Sequence, residues 1–158
     1  MPPKQNNSWV YALLITAGLW WATQGKGCDL TPLPPSPPAP IAIQGLRAMI
    51  VEDLLARADY PVEKFNIVMS TKPGSFRDFL NKNAVKNARG EPDILIGISV
   101  DADLSQMPQY WQDAHKLATS KNIPPPILLI SNGKHGYLGP LPKDTAATLA
   151  IIQPLVEK

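Results

Sequence analysis

Few residues in this chain combine a reactive type with a spacing that chemistry can use. Cys28 is the only cysteine, so neither an internal disulfide nor a cysteine-based zinc site can be assembled within the chain. Lipid attachment or an intermolecular disulfide stays open to it. Glu52 and Asp53 follow the apolar Met49, Ile50 and Val51, at the end of an expected first strand. Open α/β sheets hold ligands there, which makes the two carboxylates binding candidates or, in an enzyme, groups acting on a small molecule. Asp101 and Asp103 offer two carboxylates to a divalent cation. A hard ion takes about 6–8 oxygens and no loop pattern supplies the rest, so turn and cap roles are expected and no metal. His115 and His135 have no Ser, Cys or carboxylate at triad spacing. Gly133, Gly136 and Gly139 follow a hairpin signal and precede no phosphate-binding helix. No catalytic residue and no cofactor is expected.

Charge narrows the partners. Of 15 Lys and Arg and 13 Asp and Glu in 158 residues, setting aside Lys4, Lys26 and Asp29 leaves 13 against 12. Lys82, Lys86 and Arg89 form the only compact basic group, which reads as a solvated helix face, and nucleic acid is disfavoured as a partner.

The elements that position these residues begin with an unlike N-terminus. No charge occurs between Lys4 and Lys26, and residues 9–22 are almost wholly apolar, with Trp9 at one end and Trp20 and Trp21 at the other. Tryptophan favours the bilayer interface. The apolar heart is about 14 residues against the roughly 20 of a spanning helix, and uncharged flanks could stretch it to residues 9–25. The first reading is a hydrophobic helix kept as a membrane anchor. No Ala-x-Ala site follows it, and Gly25-Lys26-Gly27-Cys28 departs from the lipoprotein box. A cleaved or lipidated signal and a buried helix are the alternatives. Lys4 mildly favours an inside N-terminus, which puts the rest of the chain on the extracytoplasmic side, periplasmic if the source is bacterial. Residues 31–40 carry proline at six of ten positions, an extended polyproline spacer reaching about 30 Å. An SH3-like or WW-like ligand is the alternative use of such spacing. The expected organisation is therefore an anchor or signal over 1–28, a proline-rich linker over 29–44 and one folded domain over 45–158.

Beyond residue 45 the hydrophobic periodicity predicts an α/β order of β, α, β, α, β, β, α. The first strand is 46–52, and 54–69 is ambiguous around Pro61. A helix starts at Ser75 with Phe76, Phe79, Leu80 and Ala84 on its core face. The apolar run 93–100 has the composition of a central strand buried on both faces. Ser105 is expected to cap a second helix carrying Met107, Tyr110, Trp111, Ala114 and Ala118, with Trp111 its largest anchor. Three prolines lead into a strand over 127–131, Asn132-Gly133 supplies a two-residue hairpin turn, 134–138 returns antiparallel, and Asp144 opens a last helix with Leu149, Ile152 and Val156 on one face. Pro154 is expected to kink or end it.

Residues 123–156, a proline-led aliphatic strand, an Asn-Gly turn, a return strand ending at Gly139 and a final helix, resemble the C-terminal half of the thioredoxin family. The resemblance implies a thioredoxin-like mixed sheet flanked by helices, with Pro125 at the family's cis-proline and Gly139-Pro140-Leu141-Pro142-Lys143 leading into the last helix. The family places Cys-x-x-Cys after the first strand, where this chain reads Glu52-Asp53-Leu54-Leu55-Ala56-Arg57. Disulfide exchange by that mechanism is excluded within the domain. What the resemblance leaves is the groove beside the cis-proline, here Pro124 and Pro125 with Glu52 and Asp53, holding an extended peptide or protein by strand addition. The expected function is a non-redox binding or assembly module tethered to a membrane. The alternatives are an accessory to envelope or redox chemistry acting through Cys28, and a small-molecule enzyme using Glu52 or Asp53.

Overall fold

The computed structural model describes residues 39–156. Cys28, the hydrophobic segment 9–25 and all but the end of the proline-rich stretch lie outside the described residues. Among the described residues no helix is long and apolar enough to cross a membrane.

Strands β1 (Arg47–Glu52), β2 (Ile94–Ser99), β3 (Ile127–Ser131) and β4 (Gly136–Pro140) form one mixed sheet in the order β2-β1-β3-β4. Helices α1 (Val62–Met69) and α2 (Phe76–Asn83) connect β1 to β2, α3 (Gln109–Ser120) connects β2 to β3, and α4 (Thr145–Val156) closes the chain. The class is α/β, as the periodicity predicted. β1 runs parallel to β2 and antiparallel to β3, and β3 runs antiparallel to β4.

Side chains alternate across the sheet, and each face builds its own core. Ala48 and Ile50 of β1 and Leu128 and Ile130 of β3 meet Ile67, Val68, Phe76, Leu80 and Ile152 from α1, α2 and α4. Met49 and Val51 with Ile127 and Leu129 meet Trp111, Ala114 and Ala118 of α3. The predicted stripe of α3 is therefore a core face, and Trp111 is fully buried. Burying an indole that size contributes about 3–5 kcal/mol relative to alanine. Ser75 caps α2, its hydroxyl accepting from the Asp78 amide at 3.2 Å.

Four expectations are corrected. The run 94–99 is an edge strand, with every residue partly exposed, while β1 and β3 take the centre. Three apolar runs look alike in sequence, and two interior places exist. Ser105 does not cap α3: the helix begins after Pro108, and Ser105 instead donates its amide to Asp103. The hairpin loop is four residues, because Ser131 pairs with Gly136. Asn132 Oδ1 accepts from the amides of Lys134 and His135, so its side chain closes a wider turn than the dipeptide alone requires. On α4 the buried face is Thr148 and Ile152 with Leu155 against it, while Val156 is exposed. The helix retains Pro154 in its last turn.

The segment before β1 is packed. Ile41 is buried, the Ser131 hydroxyl donates to its carbonyl at 2.7 Å, and Gly45 N–H donates to the Asn132 carbonyl at 3.1 Å. Gly133, at φ +93°, lies so close to this segment that a Cβ there would sit 2.7 Å from the Ile43 carbonyl oxygen. The packed body thus takes in residues counted with the linker from sequence alone.

Candidate functional site

The sheet end where β1 and β2 finish and β3 starts gathers the residues singled out in the sequence. Alternation along β1 carries Glu52 to the same face as Ala48 and Ile50, so its carboxylate leaves water almost completely, with a side chain 1% exposed. A buried carboxylate needs a counter-charge. Arg57, from the single 3-10 turn Arg57–Asp59, turns back and its guanidinium donates to Glu52 Oε2. Space for the guanidinium comes from Gly97. The β1–β2 register shifts between Ile50 and Val51, so Ile96 and Ile98 find partners and Gly97, at φ +78°, bulges out. A Cβ on Gly97 would stand 3.0 Å from an Arg57 nitrogen and 3.3 Å from Glu52 Oε2. Glu52 Oε1 and Arg57 Nε are buried and have no hydrogen-bond partner among the described residues.

Asp53 begins the loop above this pair. Its Oδ1 accepts from the amides of Leu55 at 3.0 Å and Ala56 at 3.3 Å, an Asx turn that uses the carboxylate locally. Tyr60 closes the loop by accepting from the Asp53 amide at 3.1 Å and donating to the Asp53 carbonyl at 3.2 Å. Burial pushes the Tyr60 phenol above its ordinary 10.0, with the charges of Glu52 and Asp53 adding to the rise and the Asp53 backbone bond and Arg57 opposing it. The phenol stays protonated and holds the staple.

With its backbone held this way, the loop turns apolar side chains outward. Leu55 is 96% exposed, its neighbour Leu54 is exposed, and so are Val62 and Phe65 further along the chain. Leu54, Val62 and Phe65 join Arg57, Ala58 and Tyr60 around a hollow of about 510 Å³. An exposed apolar group of this size is the feature soluble surfaces avoid unless something covers it.

The prolines leave the sheet at the same end. Val51 pairs with Ile127, so the next residues along each strand are Glu52 and Pro126. The cis peptide bond joins Pro125 to Pro126, one residue later than the resemblance set it. Three consecutive tertiary amides have the same weak trans preference, and their order in sequence does not choose among them. Pro126 is buried and its carbonyl accepts from Leu141 at 2.8 Å, Pro125 is half-buried and Pro124 is exposed. Of the four groove candidates, Glu52 is thus enclosed, Asp53 is engaged in its own turn, and Pro124 and Pro125 reach the surface.

The remaining candidates disperse. His115 is buried on α3 with Nε2 2.9 Å from the Ser99 carbonyl, tying helix to strand. Asp103 accepts from the Ser105 amide, and that bond holds its carboxyl below the ordinary carboxylate value. No group of three His, Cys, Asp or Glu able to hold a metal occurs among the described residues. Lys82 pairs with Asp78 at 2.8 Å and leaves the basic group. Sequence reasoning missed Arg57, Gly97, Leu55, Val62 and Phe65. The ambiguity of 54–69 was the one signal for all of these but Gly97, since apolar residues without a clear period mark a segment that does not bury them all. No protein-family model matches the chain, and no curated protein or solved structure matches it.

Proposed function

We propose that residues 45–158 form a thioredoxin-like domain without redox function that serves as a binding or assembly module, held at a membrane through residues 9–25 and presenting the end of β1 to a protein or an extended peptide. The family reading is supported by a strand order β2-β1-β3-β4 in which a parallel pair is followed by an antiparallel hairpin. It is also supported by a lone α3 on one face, opposite α1, α2 and α4. The observation that carries the binding reading is Leu55, 96% exposed at the tip of a loop whose backbone is closed by Asp53 and Tyr60. A rigid loop presenting apolar groups loses little entropy on binding. Glu52 is withdrawn from solvent and Asp53 is engaged by two amides, which favours recognition over acid–base work.

The test uses the full chain in a membrane mimetic against a displayed library of extended peptides. Selected peptides are expected to bind at least about tenfold more weakly to Leu55→Asp and to Pro125→Ala. Equal binding by both variants removes this surface from the function. Cell fractionation with N-terminal sequencing tests the anchor, and soluble chains starting beyond residue 25 would end it.

A further inference from the structure

The opposite end of β1 carries a second hollow that the binding reading does not use. It measures about 560 Å³ and lies between the start of α3 and the loop that precedes β2. Its apolar lining comes from Met107, Pro108, Tyr110 and the Trp111 indole, and its charged lining from Arg47, Lys86, Arg89 and Asp93.

The one carboxylate among these is fully engaged. Asp93 Oδ2 accepts from Arg47 Nε at 2.7 Å and from the Tyr110 hydroxyl at 2.8 Å, and Oδ1 accepts from Trp111 Nε1 at 3.1 Å. Asp93 balances Arg47, so Lys86 and Arg89 leave the lining with an excess of two positive charges. Glu91 shares the loop but does not line the hollow. Lys86 donates to the Asn81 carbonyl at 3.1 Å, a neutral partner, and the Arg89 guanidinium makes no ion pair among the described residues.

The loop presenting Arg89 is built. Asn87 Oδ1 accepts from the amides of Arg89 at 2.9 Å and Glu91 at 3.1 Å, Asn87 N–H donates to the Glu91 carbonyl at 2.8 Å, and Gly90 N–H donates to the Asn87 carbonyl at 2.9 Å. Lys86 and Pro92 pair across its base. On the other side, the Arg47 guanidinium lies 5.2 Å from the Tyr110 ring centroid, which fixes the ring as part of the wall.

We propose that this hollow binds a small organic anion, a carboxylate or phosphate ester attached to a flat apolar group. The apolar group would rest against Met107, Pro108 and Tyr110, and the anion would meet Lys86 and Arg89. Both parts are required: solvent-exposed cations contribute little by themselves, and the apolar wall alone does not select for charge.

The test is a titration of the full chain in a neutral membrane mimetic, read on the Trp111 indole N–H resonance, with phenyl phosphate, inorganic phosphate and benzyl alcohol as probes. Phenyl phosphate is expected to shift that resonance saturably, and at least about tenfold more tightly than either other probe. The exposed double variant Lys86→Gln, Arg89→Gln is expected to weaken phenyl phosphate about tenfold. Lys82→Gln, whose lysine pairs with Asp78 outside the hollow, is expected to leave it unchanged. Absence of saturation, equal response to inorganic phosphate, or equal loss in Lys82→Gln would each overturn the proposal. None of these outcomes bears on the peptide-binding surface at the other end of β1.

Discussion

Each end of β1 carries an arginine–carboxylate pair whose carboxylate is withdrawn from water, yet the two pairs are built to different standards. At the first, Arg47 and Asp93 are 11% and 9% exposed and Asp93 takes three donors from two elements, β1 and α3. The same guanidinium donates to the carbonyls of Ile43 and Gln44, so the pair clamps the incoming chain to β2 and α3. At the second, Glu52 takes one donor, from an arginine that is 31% exposed, and each partner keeps a buried atom unbonded. A fully satisfied buried network rigidifies the elements that it joins, and a pair joined by one hydrogen bond does so less. The difference separates a joint tied on every side from a pair that holds a single loop to the end of β1.

The contrast predicts a graded series of effects. Asp93→Ala leaves a buried guanidinium, an indole N–H and a phenol without their acceptor, and a loss of about 3–5 kcal/mol is expected in urea unfolding. Gly97→Ala comes next: the positive φ and the contact with Arg57 predict a loss of about 2 kcal/mol, together with release of the guanidinium to solvent. A crystal structure of that variant with Arg57 still on Glu52 would contradict the spatial role given to the glycine. Glu52→Gln is expected to cost only about 1 kcal/mol, because Arg57 can turn to water and the amide oxygen still accepts. A cost equal to that of Asp93→Ala would erase the distinction between the two pairs.

Tyrosine titration compares the same two ends. Burial is the largest cause raising both Tyr60 and Tyr110 above 10.0, with the Asp93 hydrogen bond second for Tyr110. For an acid whose folded value is raised, the stabilisation is whole below the unfolded value near 10 and is lost as pH rises through the folded value. Alkaline unfolding followed by phenolate absorbance is expected to show this, and Asp93→Asn to lower Tyr110 while leaving Tyr60 in place. Leu55→Asp is expected to change stability least, by less than about 0.5 kcal/mol, since an exposed side chain loses no core contact.

Much of the fold was legible because it is written in short-range patterns. The stripe ending in Ala118, the Ser75 cap and the aliphatic run after the prolines each lie within a dozen residues, the range over which 3.6- and 2-residue periods are read. The site was less legible. Arg47 and Asp93 are 46 positions apart, and nothing local marks Asp93 as the acceptor for Trp111. Glu52 was visible as a carboxylate after a strand, but its enclosure depends on a glycine bulge in another strand.

By itself, the sequence determined the α/β class, the four strands with three of the four helices in order, and the absence of a thiol beyond residue 28, because propensity and periodicity act between near neighbours; α1, in the segment around Pro61, was not read from it. Only the tertiary structure decided that β2 lies at the edge, that Glu52 is buried while Leu55 is bare, and which charges pair. Those outcomes depend on which distant segments compete for the two interior places in the sheet, and that competition is resolved by packing.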